Sequence, residues 1–534
     1  MKLTRIIPTR RLRILVQGGF FGLWCALIWA TRHPIDSALA QVIPTSLFLR
    51  IDPLVMTAVS GGLRAGITLT LLGAVTLVVT LLLGRVFCGW VCPLGSIFDA
   101  YGWILKQFGH STEGPSPPWF RFKYLLLLAI LVLTLFGAAN PLMGLDPIVL
   151  LTRTAAVVLA PLGVSTSTLL ENWGSTTAWK VPTLFREHWV DAGTLFLFVA
   201  IMGGTTRLSR IWCRTACPLG AYLAVASRHS VLRRQTRDCT KCNLCIPACP
   251  TGAISLTNPL DYNESECIKC FSCSSICPVE ANFFTLKNPL PSSTDAYAPV
   301  SLERRSVLAT AVGAVASVPY LQVQAGGTGA TKALIRPPFA RDEGEFLSSC
   351  IRCGECMKAC PTSLLKPSGL ENGLRALWSP VMDADHARCL PECNACSQAC
   401  PTDALLKYPL EAKYSRKAGT AVLNASLCVA HAENKYCNEC VRSCPTDAIT
   451  VLPGWKPEQA TDRGSDQPAP EGQHSQRPVS IVFDRCIGCG ACQEACHEIT
   501  FGDVAMKVTA TGRGLPSDLT RPHPISQDFR KETL

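Results

Sequence analysis

Charge is scarce in this chain. Asp, Glu, Lys and Arg make up 17% of 534 residues, against about 25% in an average soluble domain. With 48% hydrophobic residues and a mean hydropathy of +0.24, that shortage excludes a largely disordered chain. Nucleotide chemistry is also missing: the sequence has no dinucleotide fingerprint, no Walker motif and no hydrolytic constellation. The net charge of +11 gathers beside apolar stretches and not in aromatic-interleaved patches. It excludes nucleic acid as a partner and reads as membrane-flanking charge. What the chain has in excess is cysteine, 29 residues, in short clusters unlike the spacings of a secreted disulfide scaffold.

Long apolar runs come next. Residues 14–30 are uncharged and follow Lys2, Arg5, Arg10, Arg11 and Arg13, which places the N-terminus in the cytoplasm and makes this a span and not a cleaved leader. Further spans are expected at 65–83, 124–139 and 192–204. The apolar stretch 148–164 carries Arg153 and Pro161 and is expected to lie at the outer interface. Spans two and four run into the same pattern, Gly84-Arg85-Val86-Phe87-Cys88-Gly89-Trp90-Val91-Cys92-Pro93-Leu94-Gly95 and Ser209-Arg210-Ile211-Trp212-Cys213-Arg214-Thr215-Ala216-Cys217-Pro218-Leu219-Gly220. These are duplicates. An even number of crossings then separates them, and Arg85, Arg121, Lys123, Arg207, Arg210 and Arg214 fall inside. The i, i+4 spacing of Cys88 with Cys92 and of Cys213 with Cys217 predicts two sulfurs on one helix face. Four such thiols make either a seventh metal or iron-sulfur site, transient disulfides, or a docking point for a partner.

Beyond Arg237 the character changes. Cys239-x2-Cys242-x2-Cys245-x3-Cys249-Pro250 is followed by Cys267-x2-Cys270-x2-Cys273-x3-Cys277-Pro278. This is the bacterial ferredoxin run, in which three close thiolates grip one cube and the fourth reaches the other. One [4Fe-4S] cluster is expected on Cys239, Cys242, Cys245 and Cys277, its neighbour on Cys267, Cys270, Cys273 and Cys249. Structural zinc suits four sulfurs within eleven residues poorly. Four more motifs follow: Cys350, Cys353, Cys356, Cys360; Cys389, Cys393, Cys396, Cys400; Cys428, Cys437, Cys440, Cys444; and Cys486, Cys489, Cys492, Cys496, the last with His497 where the others have proline. Six motifs predict six [4Fe-4S] clusters. Spacing does not decide whether the first of these four motifs exchanges its fourth cysteine with the second or with the last. Cys25 reads as a small core hydrophobe and not as a ligand.

Between the two arrays lie a Pro/Ser-rich linker, Leu286 to Val300, and Ser301-Leu302-Glu303-Arg304-Arg305 before an apolar run to Val323. Paired arginines there read as an internal twin-arginine signal, retained as a fifth span or cleaved after Val323-Gln324-Ala325, with an ordinary buried helix as the alternative. Either signal outcome places the chain beyond Ala325 on the outer face. Residues 453–480 are polar, rich in Pro and Gly, and read as a flexible insertion.

These motifs carry a resemblance. The first 290 or so residues, with duplicated Cys-x3-Cys-Pro at membrane edges and a two-cluster tail, resemble the NapH-type (MauN-like) membrane ferredoxin proteins. From about 301 the chain resembles the NapG/MauM ferredoxin-type proteins, through the paired arginines, Ile335-Arg336-Pro337-Pro338 and the closing Cys-His. Two usually separate proteins are fused. The expected architecture is an α-helical polytopic membrane domain followed by α+β bacterial-ferredoxin-like domains. Residues 1–230 form the four-span membrane domain, 231–285 the two-cluster ferredoxin, 286–325 the linker and signal or fifth span, and 326–534 the four-cluster ferredoxin. The resemblance implies an electron-transfer subunit, a quinol dehydrogenase module in the cytoplasmic membrane. It would take electrons from quinol or a cytoplasmic donor and pass them to a periplasmic redox acceptor such as a nitrate reductase system. A maturation or metal-reduction polyferredoxin would use the same motifs.

Overall fold

The computed structural model describes residues 9–30, 44–60, 67–109, 118–159, 192–286, 302–323, 334–432, 437–451, 479–500 and 504–510. Most of the linker 286–300, the processing point at Gln324-Ala325, residues 160–164 and nearly all of 453–480 lie outside these.

The N-terminal part is helical and built twice. Its first half holds α1 (Thr9–Ala30), α2 (Pro53–Ser60), α3 (Ile67–Leu83) and α4 (Pro93–Gln107). The second holds α5 (Phe122–Leu135), α6 (Pro147–Thr154), α7 (Ala192–Thr205), α8 (Ile211–Thr215) and α9 (Pro218–Ser227). Local sequence sets the helix ends. Apolar, uncharged α3 stops at Gly84, whose φ of 79° is the left-handed close that glycine accepts without strain. Helices α2, α4, α6 and α9 all begin on proline, whose missing N–H costs nothing at a first helical position. Asp146 caps α6 through the Ile148 and Val149 amides.

Two small domains sit at opposite ends of α5. Near its start, Lys123 and Tyr124 meet Glu266 at 2.5 and 2.8 Å, within the unit closed by the antiparallel ribbon of β1 (Leu232–Thr236) and β2 (Asn282–Leu286). Past its end, Arg352 donates to the Asn140 carbonyl at 2.6 Å. There Thr134, Gly137 and Ala138 share a small cavity with Ser348, Cys350 and Ile351. Fourteen residues of helix separate the two contacts by about 20 Å. Helix α10 (Arg304–Val323) runs beside α5, its Val318 and Leu321 packing on Leu133 and Ala138 near the second end. The C-terminal part follows as α11 (Glu343–Ser349), α12 (Ala491–Thr500) and three further two-stranded ribbons, β3 (Leu365–Pro367) with β4 (Pro380–Met382), β5 (Thr420–Leu423) with β8 (Met506–Thr509), and β6 (Ile449–Val451) with β7 (Val479–Ile481).

Among the described residues one helix, Arg11–Ala30, is long and apolar enough by itself to cross a bilayer. The other expected spans form helices of 14 to 17 residues over 67–83, 122–135 and 192–205. Large apolar side chains nevertheless point outward on five helices: Leu15 and Trp29 on α1, Val75 and Leu82 on α3, Leu131 and Leu135 on α5, Phe196 and Val199 on α7, and Leu308 and Val312 on α10.

Three expectations need correction. The stretch from 148 is not an interfacial helix: every residue of α6 is buried, Ile148 to Leu151 in the core of the N-terminal helices and Arg153 against Trp378, which stacks 3.9 Å from it. Cys25 is exposed and not in the core, on the same outward side of α1 as other apolar groups. The paired cysteines do not share one helix face. Cys88 lies in a π-turn (Phe87–Val91) and Cys213 in α8, whereas Cys92 and Cys217 are extended caps with ψ of 117° and 111°. The proline that follows each bars it from helical geometry.

Candidate functional site

The ferredoxin loops are shaped residue by residue. In Cys239–Cys245, Lys241 and Asn243 take positive φ. Lys269 and Phe271, Arg352 and Gly354, and Gly488 and Gly490 do the same at the matching positions of three further motifs. Two left-handed residues between three cysteines curl successive amides inward, forming a nest for an anionic centre. Among the described residues of the two irregular motifs, starting at Cys389 and Cys428, the pair is not found. After the fourth cysteine the chain turns again through a left-handed residue, Gly252, Glu280, Ser363, Asp403 or Asp447. An amide then falls on the sulfur, as from Ala253 to Cys249, Ala281 to Cys277 and Ala448 to Cys444, at 3.2 to 3.3 Å.

The fold brings five of the fourth cysteines beside the first three of another motif. Cys249 lines one cavity with Cys267, Cys270 and Cys273, as expected from the run. Cys360 lines another with Cys389, Cys393 and Cys396. Cys400 is the charge neighbour of Cys350, Cys353 and Cys356, so the first motif of the array exchanges with the second. Cys496 joins Cys428, Cys437 and Cys440, and Cys444 joins Cys486, Cys489 and Cys492. The two pairs are stitched together where the Cys389 amide donates to the Cys489 carbonyl at 2.8 Å. Among the described residues no three His, Cys, Asp or Glu side chains are placed to hold a single metal ion. A cube takes one thiolate at each of four iron corners.

Cys88, Cys92, Cys213 and Cys217 are all buried in one core and are mutual charge neighbours. Sequence reasoning missed the two arginines that frame them. Arg210 reaches across to the first repeat, donating to the carbonyls of Cys88 and Gly95 and to Asp99 at 2.7 to 3.1 Å. Arg85 reaches the other way: a Cβ on Gly220 would stand 3.1 Å from both Arg85 Nη2 and Cys217 Sγ. The duplicated Arg-x-aromatic-Cys pattern was the available signal. Arg85 Nη1 is taken by Ser265 O and Glu266, while its buried Nε and Nη2 have no partner among the described residues. Unmet donors beside four thiols suit an anionic iron-sulfur centre, whose sulfurs would accept them. Burial pushes the Glu266 carboxyl up, but the Lys123 ammonium and the Arg85 guanidinium outweigh it and hold it below the usual range. The ferredoxin loop lies directly against this site: Trp90 Nε1 donates to Lys269 O at 2.9 Å, and Gly89 leaves no room for a Cβ against the Ile268 carbonyl.

Cysteine quartets held in amide nests and laid end to end define a ferredoxin-type iron-sulfur electron-transfer protein. The chain matches the family model of a 4Fe-4S binding domain over residues 65–109 and 190–237 and that of a 4Fe-4S dicluster domain over 238–281, 349–404 and 435–499. It is similar to the ferredoxin-type protein NapG of Escherichia coli, 31% identical over 192 residues that cover 36% of this chain and 78% of that protein. It is similar to the ferredoxin-type protein NapH of Haemophilus influenzae, 27% over 264 residues, 48% and 76%. The methylamine utilization ferredoxin-type protein MauN of Methylorubrum extorquens is 26% identical over 249 residues, 45% and 73%. No solved structure matches. The chain belongs to the NapH/NapG/MauN family of ferredoxin-type proteins, consistent with a NapH-like and a NapG-like part joined in one polypeptide.

Proposed function

We propose that this chain is a quinol dehydrogenase module that relays electrons through the cytoplasmic membrane, from quinol or a cytoplasmic donor to a periplasmic redox acceptor. In this reading residues 1–230 are a multi-pass membrane domain, 231–285 a cytoplasmic two-cluster ferredoxin, 286–325 a linker and fifth span, and 326–534 a periplasmic four-cluster ferredoxin. The observation that carries it is the pair of ferredoxin units at opposite ends of α5, with apolar side chains facing outward along the helices between them. Helices of 14 residues are short for a bilayer, and the polar ends supplied by the two docked units complete the crossing.

Six quartets would each hold a [4Fe-4S] cluster: Cys239, Cys242, Cys245 and Cys277; Cys249 with Cys267, Cys270 and Cys273; Cys400 with Cys350, Cys353 and Cys356; Cys360 with Cys389, Cys393 and Cys396; Cys496 with Cys428, Cys437 and Cys440; and Cys444 with Cys486, Cys489 and Cys492. Cys88, Cys92, Cys213 and Cys217 would hold a seventh centre, in keeping with the family match to 65–109 and 190–237. Such clusters supply one-electron steps over a wide range of potential. The protein's own part is to hold the quartets in series, to shield the buried ones from water, and to place Arg85 and Arg210 beside the membrane thiols.

The test is twofold. Reporter fusions after residues 286 and 345 are expected to report opposite compartments, and quinol is expected to bleach the cluster absorbance of the purified protein. Reporters on one side reject the crossing. Clusters that dithionite reduces and quinol does not point to a maturation or metal-reduction polyferredoxin instead.

A further inference from the structure

Two aromatic side chains stand where the ferredoxin unit meets the four-cysteine site. In sequence, Trp90 lies between Cys88 and Cys92, and Phe271 between Cys270 and Cys273. Their rings meet edge to face with centroids 6.1 Å apart, inside the range of a favourable aromatic pair. Phe271 continues edge to face onto Phe284 at 4.7 Å. Trp90 Nε1 also donates to the Lys269 carbonyl at 2.9 Å, and the next residue is Cys270.

The aromatic contact belongs to the first repeat. In the second, Thr215 stands at the place of Trp90, and Cys213-Arg214-Thr215-Ala216-Cys217 has no aromatic residue. That repeat reaches the same quartet through Ser209, whose hydroxyl donates to the Pro250 carbonyl at 3.1 Å, next to Cys249. Both repeats therefore clasp the quartet of Cys249, Cys267, Cys270 and Cys273, while the loop of the other quartet faces away, with Asp238, Lys241, Cys242 and Leu244 exposed. At the boundary two routes are open to an electron. Gly89 presses on the Ile268 carbonyl, a contact with no bond across it. Trp90 makes a bonded route, covalent from Cys88 or Cys92 to the indole, then one hydrogen bond, then the peptide bond from Lys269 to Cys270. It is longer in bonds, but electron tunnelling weakens much faster across a gap than along bonds, and the delocalised indole spans part of the way.

We propose that Trp90 bridges electron passage between the quartet of Cys249, Cys267, Cys270 and Cys273 and the four-cysteine site, with Phe271 packed on its ring to hold it in line; this rests on the reading of both sets of cysteines as iron-sulfur centres. One electron passes. The site that gives it is oxidised by one, the site that takes it is reduced by one, no bond is made or broken and no proton moves. The indole itself is neither oxidised nor reduced, and the two potentials set the direction. Thr215 offers no such bridge, so the ferredoxin unit is connected through the first repeat.

Rapid photoreduction of the full-length, cluster-loaded protein in lipid nanodiscs, followed by freeze-quench electron paramagnetic resonance, tests this. In Trp90→Leu the exchange of electrons between the two sites is expected to slow severalfold, while the magnetic coupling between them, which reads their separation, keeps its parent value. Trp90→Phe keeps a ring without the hydrogen bond and is expected to slow the exchange less. An unchanged rate in Trp90→Leu overturns the proposal and leaves the Gly89 contact to carry the electron. A slower rate with weakened coupling overturns it too, since Trp90 would then only seat the ferredoxin unit. If Trp90→Leu does not load its clusters, Trp90→Phe takes its place, and a parent rate there overturns the bridge. Loss of about four irons in Cys88→Ser/Cys213→Ser, with a parent rate in Trp90→Leu, sinks the bridge alone. Unchanged iron in that double variant sinks the four-cysteine reading beneath it.

Discussion

The two repeats of the N-terminal part carry the same arginine, and it does two different jobs. Arg210 is wholly committed inside the repeats, with its guanidinium closed on Asp99 and two carbonyls of the first repeat. Arg85 is committed outward, to Ser265 and Glu266 of the ferredoxin unit, and keeps its other edge for the cysteines. The first repeat supplies Asp99 within α4, seven residues after Cys92, and the second has Ala224 at the matching place of α9, seven residues after Cys217. Without an acid at that place, Arg85 is left to dock another domain, so the two halves of the pocket differ at a single acidic position, and the half that lacks the acid is the docking face.

Removing the acid from the first copy is expected to have the largest effect. Asp99→Ala strands Arg210 and Arg13, which both close on this carboxylate. Stranding a buried charge costs about 3–5 kcal/mol, and thermal unfolding followed by loss of cluster absorbance is expected to move down by 10 °C or so, at about 2–4 °C per kcal/mol for domains of this size. A melting point within about 2 °C of the parent, the shift of less than 1 kcal/mol, would show that Arg210 is not the lock. Glu266→Gln comes next. It leaves Lys123 and Arg85 without their anion, and is expected to open the 231–286 unit to limited proteolysis while the six-motif iron content stays. If digestion is unchanged, the docking rests on the contacts that remain, among them Trp90 with Lys269, Gly89 with Ile268 and Arg85 with the Ser265 carbonyl.

Arginine-to-lysine exchange separates the copies most finely. Arg210→Lys gives up a fork in which both sides are bonded and is expected to cost about 2 kcal/mol, whereas Arg85→Lys is expected to cost about 1 kcal/mol or less, since a point charge still satisfies Glu266. Its larger consequence falls on the four-cysteine site, whose midpoint potential is expected to shift with little change in melting. Equal melting shifts in the two variants would erase the distinction between lock and dock.

Much of the site is legible in the sequence for a plain reason. Cluster ligands are spaced by local chain geometry, so the run from Cys239 to Cys277 can be read, and Cys249 lines one cavity with Cys267, Cys270 and Cys273 as its spacing suggests. The downstream pairing cannot, because Cys400 meets Cys350 only after the chain has folded through β3 and β4, and the irregular spacings at Cys389 and Cys428 hide the register. The convergence of Cys88, Cys92, Cys213 and Cys217 is visible in the duplication, while a shared helix face, the geometry their spacing suggests, fails at Pro93 and Pro218. The cover over Arg153 is invisible because it is Trp378, more than two hundred residues away.

Electron passage across a sealed bilayer tests the relay most directly. The full chain would be reconstituted into lipid vesicles that enclose ferricyanide, with dithionite added outside and both reagents unable to cross the membrane. In vesicles containing the protein the enclosed ferricyanide is expected to bleach at a rate that scales with protein content and is lost in Cys88→Ser/Cys213→Ser. Bleaching no faster than in protein-free vesicles, with all clusters loaded, would contradict a relay through the membrane.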